Sequence, residues 1–278
     1  MPASVSGLIP ALKWHGGKHY LAGRIVDLMP PHTHYVEPYA GGLAVLLAKS
    51  PDAVSEVVND VDGRLTNFWK VLQDEEMFSA FHRFVEAIPF SEVEWQEASK
   101  ASAASRRPLG KDEMVRDAAA FFVLCRQSLA GRMKGFASLS RSRTRRNMNE
   151  QASAWITAVD GLPAVHARLR RVVVLCRPAI AVLRSEDSSD TLFYLDPPYL
   201  NETRSVPDVY GFEMSQADHR ELLELIRGAR GKIMLSGYPS DLYDSALSGW
   251  SRHTFDLPNN AAAGKSKARE TEVLWCNF

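Results

Sequence analysis

Short apolar runs alternate with helix-period segments through the first 72 residues, and that rhythm admits few folds. Residues 19–29 place apolar side chains at helical spacing and stop before Pro30-Pro31. Residues 34–37 read as a strand, 43–49 as a helix, 54–58 as a strand and 62–72 as a helix. A β-α-β-α order calls for a parallel sheet covered by helices. From 74 to 168 the rhythm gives way to helical segments at 76–88, 112–129 and 149–169, with a Ser- and Arg-rich stretch between them. Strands resume near 171, 191 and 232, with a helix at 216–227, and two β-like segments at 252–257 and 271–278 close the chain. The count is seven strands, with a helical block between the second and third. It divides the chain into a sheet domain, 1–73 and 169–278, and a mostly helical insert, 74–168.

At 278 residues with 45% hydrophobic and 24% charged residues, the chain is long enough for one large core or a core with an insert. Lys and Arg balance Asp and Glu at 33 each, so any surface for a polyanion has to be local. Cys125, Cys176 and Cys276 form no CxxC pair, which points away from a zinc knuckle or disulfide framework. No basic start followed by an apolar stretch opens the sequence, and no apolar run reaches the ~20 residues that cross a bilayer. A cytoplasmic location, without membrane association, is the expectation.

Residues 191–195 run apolar into Asp196-Pro197-Pro198-Tyr199. In open α/β sheets ligands bind at the carboxyl ends of strands. The two prolines fix φ and remove two backbone donors, which leaves carbonyl acceptors beside the Asp196 carboxylate. Such a strand end suits an exocyclic amine, with Tyr199 stacking on the ring that carries it. Tyr35-Val36-Glu37-Pro38-Tyr39-Ala40-Gly41-Gly42 is a strand running into a glycine turn before a helix. Asp60 follows Gly41 by 19 residues, where a carboxylate can accept both ribose hydroxyls of a nucleotide-like cofactor. The G-x-G-x-x-G fingerprint is not met, because Leu43, Ala44 and Val45 follow Gly42. Upstream, Lys13-Trp14-His15-Gly16-Gly17-Lys18 joins an aromatic, a glycine pair and two lysines.

No acid occurs from Ala118 to Asn149, yet Arg126, Arg132, Lys134, Arg141, Arg143, Arg145 and Arg146 all lie there. Ser138, Ser140, Ser142, Thr144 and Asn147 add neutral donors. A neutral chain that concentrates cations in one stretch has a footprint suited to phosphates, and arginines also read guanine edges. Lys265, Lys267 and Arg269 form a second basic candidate.

Taken in order, Lys-Trp-x-Gly-Gly-Lys, Glu-Pro-Tyr-Ala-Gly-Gly, Asn-Asp, a helical block and Asp-Pro-Pro-Tyr resemble the Dam-type DNA adenine-N6 methyltransferases. The resemblance implies a Rossmann-like, seven-stranded α/β methyltransferase sheet with an inserted DNA-recognition subdomain. It also implies S-adenosyl-L-methionine as cofactor and double-stranded DNA as partner, and we expect a monomer or weak dimer. Asp196, Pro197, Pro198 and Tyr199 are the expected catalytic residues. Trp14, Lys18, Glu37, Tyr39, Gly41, Gly42, Asp60 and Asp196 are expected at the cofactor. Lys13 joins the cations of the acid-free stretch at the DNA, and no metal is expected. Two departures stand out: Leu43 occupies the place of a common third glycine, and in Leu175-Cys176-Arg177-Pro178 a proline cannot fill the role of the polar or acidic residue that often lies near the cofactor's adenine after the third parallel strand. The glycine turn and Asp60 also permit an NAD-linked oxidoreductase, and Pro178 hints at a DNA-binding module with a decayed cofactor site. None of the cysteines follows a proline, which disfavours cytosine-C5 chemistry.

Overall fold

The computed structural model describes residues 7–104, 110–137, 142–203, 211–258 and 269–278. Arg141, Ser138, Ser140, Lys265 and Lys267 lie outside them, as does the side chain of Arg269. Elements follow in the order α1 (Ala22–Asp27), β1 (His34–Glu37), α2 (Ala44–Ala48), β2 (Ser55–Asn59), α3 (Gly63–Gln73), α4 (Glu75–Glu86), α5 (Glu92–Ala104) and α6 (Lys111–Gln127). A two-residue ladder, β3 (Thr144–Arg145) with β4 (Met148–Asn149), precedes α7 (Glu150–Asp160) and α8 (Leu162–Leu169). Then come β5 (Val172–Leu175), α9 (Ala179–Glu186), β6 (Thr191–Leu195), α10 (Gln216–Arg227), β7 (Lys232–Gly237), α11 (Asp241–Ala246), β8 (Ser251–Pro258) and β9 (Arg269–Cys276). All seven strands expected from sequence are present. No helix among the described residues is long and apolar enough to cross a membrane.

The seven strands form one sheet in the order β5-β2-β1-β6-β7-β9-β8. β1 pairs parallel with both β2 and β6, and β6 pairs parallel with β7. β9 runs antiparallel to β7 and forms a hairpin with β8 in unbroken register from Ser251↔Cys276 to Pro258↔Arg269. Every residue of β6 is buried, which is why Thr-Leu-Phe-Tyr-Leu reads as a continuous apolar run instead of alternating. The chain leaves β1 toward β2 on one side and returns at β6 on the other. The switch point of the sheet therefore lies between β1 and β6.

The chain divides into two compact units. One comprises Pro30–Ala40, Ala53–Asp62 and Leu175–Phe278. Its core joins Val36, Val57, Phe193, Leu195, Ile233, Leu235, Val273 and Trp275 of the strands to Val182 and Leu183 of α9, Leu222, Leu223 and Ile226 of α10, and Tyr243 of α11. Each such aliphatic side chain contributes roughly 1.5–3 kcal/mol through burial. Helix α10 buries His219, Leu222, Leu223 and Ile226 at helical spacing. Its start is fixed by a capping box between Ser215 and Asp218.

The other unit comprises Met1–Met29, Gly41–Asp52 and Gly63–Val174. This grouping is wider than the expected 74–168 insert because α3 packs with the helical block. Phe68 of α3 stacks on Phe122 of α6 with centroids 5.8 Å apart and meets Phe81 of α4 edge-on. The segment expected as one helix over 149–169 is two, since α7 ends at Gly161 and Pro163 sits in the first turn of α8.

The end of α6 holds the N-terminal strap of this unit. Arg126 donates from Nε to Ala11 O at 2.6 Å and from Nη2 to Pro10 O at 3.0 Å. Cys125 Sγ donates to Lys13 O at 3.2 Å. Arg126, expected among the DNA-facing cations, is thus committed to carbonyls inside its own unit. Just beyond α6, Gly131 has φ +72°, and a Cβ there would sit 1.6 Å from Lys13 O. A side chain at 131 meets both the wrong backbone region and the strap. Gly131→Ala is expected to lower stability by at least about 2 kcal/mol in urea unfolding, well beyond an exposed glycine-to-alanine change such as Gly110→Ala.

Candidate active site

Chemistry collects at strand ends because the parallel strands bury their faces and only their carboxyl ends open outward. At the end of β6, Asp196 is half-buried, Pro197 and Tyr199 are buried, and Pro198 is half-buried. At the end of β1, Glu37 is buried and accepts a hydrogen bond from Tyr35 Oη at 2.7 Å. The two carboxylates thus stand at the ends of the strands that flank the switch point. Half-buried Asp60, just past β2, accepts from Asp62 N at 3.0 Å through Oδ1.

Neutral phenols surround these acids. Burial pushes the Tyr194 hydroxyl well up, with the Asp196 charge next in weight, and Tyr194 shares a hydrogen bond of 3.0 Å with Ser236. Burial also raises Tyr243, with Tyr39 and then Asp196 adding to it. Tyr39 rises through burial, then Asp218 and Asp60. These hydroxyls stay protonated near neutrality. Tyr199 packs edge-on against Tyr238, centroids 4.6 Å apart at 70°. Tyr238 does not stand out in the sequence; its only signal is its place just after β7.

In the helical unit, the glycine turn is shaped by Trp14. Gly41 has φ +47°, and a Cβ there would lie 2.8 Å from Trp14 Nε1; a Cβ on Gly42 would lie 2.8 Å from Trp14 Cβ. Gly41 O also accepts from Trp69 Nε1 at 3.2 Å. The two glycines are thus required by an indole lying on their backbone. Leu43, in place of a third glycine, has φ 56° and is buried at the start of α2. A leucine in this region carries a strain of about 1–2 kcal/mol, which its burial offsets. Lys18 is buried, and its Nζ donates to Gly16 O at 2.7 Å.

The basic stretch is less uniform than its composition. Half-buried Lys13 is lowered by burial first and by Arg126 second. Arg132 is half-buried and Lys134 exposed. β3 and β4 make a tight hairpin whose turn residues, Arg146 and Asn147, have φ 56° and 60°, as in a type I′ turn. Arg146 reaches back to Thr157 Oγ1 at 3.0 Å and Asp160 at 3.9 Å, and Arg143 lies 3.9 Å from Glu150. Arg145 is exposed and makes no ion pair among the described residues.

The model of the D12 class N6 adenine-specific DNA methyltransferases matches residues 14–258, a span that runs from Trp14 through Asp-Pro-Pro-Tyr. The chain belongs to the D12 class of N6 adenine-specific DNA methyltransferases. It is 28% identical over 240 residues to a DNA N-6-adenine-methyltransferase of Escherichia phage P1, across 82% of this chain and 30% of that protein. The chain thus spans about a third of the phage protein's length. It is 23% identical over 290 residues to a type II methyltransferase of Lactococcus lactis subsp. cremoris, across 98% of this chain and 96% of that protein. The NAD-linked reading is not favoured for a D12 class chain that lacks the dinucleotide fingerprint.

The cofactor such methyltransferases generally use, S-adenosylmethionine, asks for carboxylate acceptors and a closely approachable backbone. Glu37 and Asp60 are carboxylates of this kind at the ends of β1 and β2. Thiols take no comparable part, since burial pushes Cys125 and Cys276 up to about 12. Both stay protonated below about pH 9, and their burial is penalised as pH climbs from there toward 12, because the unfolded thiols then ionise and the folded ones do not. Native protein at pH 8 is expected to titrate one thiol rapidly with a disulfide reagent. Cys176 is the exposed one, and Cys125 and Cys276 should react only on unfolding.

Proposed function

We propose that this chain transfers a methyl group from S-adenosyl-L-methionine to the N6 of an adenine flipped out of double-stranded DNA. The observation that carries the reading is Asp196-Pro197-Pro198-Tyr199 leaving β6 at the switch point, in a chain of the D12 class. When bound, the cofactor supplies a sulfonium methyl as electrophile. The adenine amine is a poor nucleophile because its lone pair is delocalised into the ring. Asp196 and the Pro197 carbonyl accept its two hydrogens and favour a tetrahedral nitrogen whose lone pair points out of the ring plane. Positioning and electrostatics do most of the work, and no side chain forms a covalent bond. Tyr199 offers its face to the flipped base in place of lost stacking, and Tyr238 braces it from the edge.

Trp14, Lys18, Glu37, Tyr39, Gly41, Gly42 and Asp60 serve the cofactor in this reading, with Asp60 on the ribose hydroxyls. The helical unit recognises DNA, and the β3–β4 hairpin brings its arginines to the phosphates. Within that hairpin Arg145 carries the contact most directly, because Arg143 and Arg146 already have acidic neighbours.

Asp196→Ala is expected to lower tritium transfer from labelled S-adenosylmethionine to DNA by at least about a thousandfold while leaving DNA affinity within threefold. Near-normal transfer would remove Asp196 from the mechanism. Arg145→Ala should weaken binding to all duplex sequences alike and flatten the log K against log salt slope by about one unit, a change that Arg126→Ala should not share.

A further inference from the structure

Where β1 and β2 end, the ladder of backbone hydrogen bonds stops and a single side chain continues the stitching. Asn59, the last residue of β2, is fully buried. Its Nδ2 donates to Pro38 O at 2.9 Å and to Arg177 O at 3.0 Å. Its Oδ1 accepts from Arg177 N at 2.9 Å. Both amide hydrogens and the amide oxygen are in use. The main chain reinforces the join, since Ala40 N donates to Asn59 O at 2.9 Å and Asp60 N reaches Leu175 O at 3.4 Å.

The segments so joined are 38–40, 59–60 and 176–178. The first carries Tyr39 and leads directly into the glycine turn, the second carries Asp60, and the third is the turn after β5. In that third segment Pro178 has no backbone donor, and both polar backbone groups of Arg177 are taken by Asn59. The geometry points to Asn59 as a positioning residue for the cofactor, whose amide fixes the three strand-end segments that form the nucleoside end of its site. The inference rests on the cofactor reading above. An amide is the group the place requires. A carboxylate of the same shape sets a negative oxygen against two carbonyls, and a methyl leaves the buried Pro38 carbonyl and both polar backbone groups of Arg177 without this partner.

The test compares Asn59→Ala, Asn59→Asp and the milder Asn59→Ser with Ile226→Val, which trims the core of the same unit on α10. Thermal unfolding, amide hydrogen exchange, calorimetry with S-adenosylhomocysteine, and KM and kcat for S-adenosylmethionine are measured on the full chain. The Asn59 variants should exchange faster at Tyr39, Ala40, Asp60, Cys176 and Arg177. They should bind S-adenosylhomocysteine at least about tenfold more weakly and raise KM alike, with kcat within about threefold and DNA affinity unchanged. Ile226→Val should shift the unfolding temperature alone. Unchanged affinity in the folded Asn59 variants, unchanged exchange, or an equal loss in Ile226→Val would overturn the inference and leave the cofactor reading standing. Failure of all three Asn59 variants to fold assigns the residue to the fold alone and overturns it too. If the unaltered chain does not bind S-adenosylhomocysteine, the cofactor reading falls and the inference with it.

Discussion

The parallel pairing of β1 with β2 and β6, and of β6 with β7, is the constraint on which the remaining structure depends. Strands buried on both faces host little polar chemistry along their length, Glu56 inside β2 being an exception, so acids and amides gather toward the strand ends. Glu37, Asp60 and Asp196 occupy three such ends, and Asn59 ties two of them to the turn after β5. Buried Glu37 has a phenol donor beside it, since Tyr35 Oη donates to it at 2.7 Å.

Much of this architecture is legible in the residues. The segments near 34, 54, 171, 191, 232, 252 and 271 each form strands of one sheet; β6 reads as an apolar run because it is buried throughout, whereas β8, largely exposed, reads as β-like only from its residue types. The limits of α10 are readable from sequence, since the Ser215–Asp218 capping signal and the spacing of Leu222, Leu223 and Ile226 agree. α5, α9 and α11 are not. α5 is largely polar, whereas α9 and α11 are too short for their periodicity to rise above the loops around them. The single helix expected over 149–169 fails at Gly161, where a glycine followed by Pro163 marks a stop and a fresh start.

At the site, residue type tells more than spatial role. Asp196 and Tyr199 are identifiable because a strand followed by two prolines is rare and chemically pointed. Arg126 is not distinguishable from its neighbours, because charge is visible in a sequence and burial is not. Only the folded strap shows that its guanidinium is held by the carbonyls of Pro10 and Ala11. Asn59 and Tyr238 escape notice for the opposite reason: an ordinary amide and an ordinary phenol gain meaning only from what lies opposite them. The glycines at 41 and 42 read as room for a ligand, and the fold adds a nearer occupant in the Trp14 indole.

The hairpin of β3 and β4 is a very short ladder, and its turn governs more than its own closure. With Arg146 and Asn147 both at positive φ, the register is locked at Thr144↔Asn149 and Arg145↔Met148. Side chains alternate along a strand, so one residue added to or removed from that turn would exchange the faces on which Arg143, Arg145 and their neighbours project. The order of Arg143 and Arg145 along the chain would survive such a change, while the spatial pattern they offer would be inverted. The turn works as a phase setting for the charge pattern, and diversification of this stretch by substitution leaves that phase intact where insertion or deletion rewrites it at one stroke.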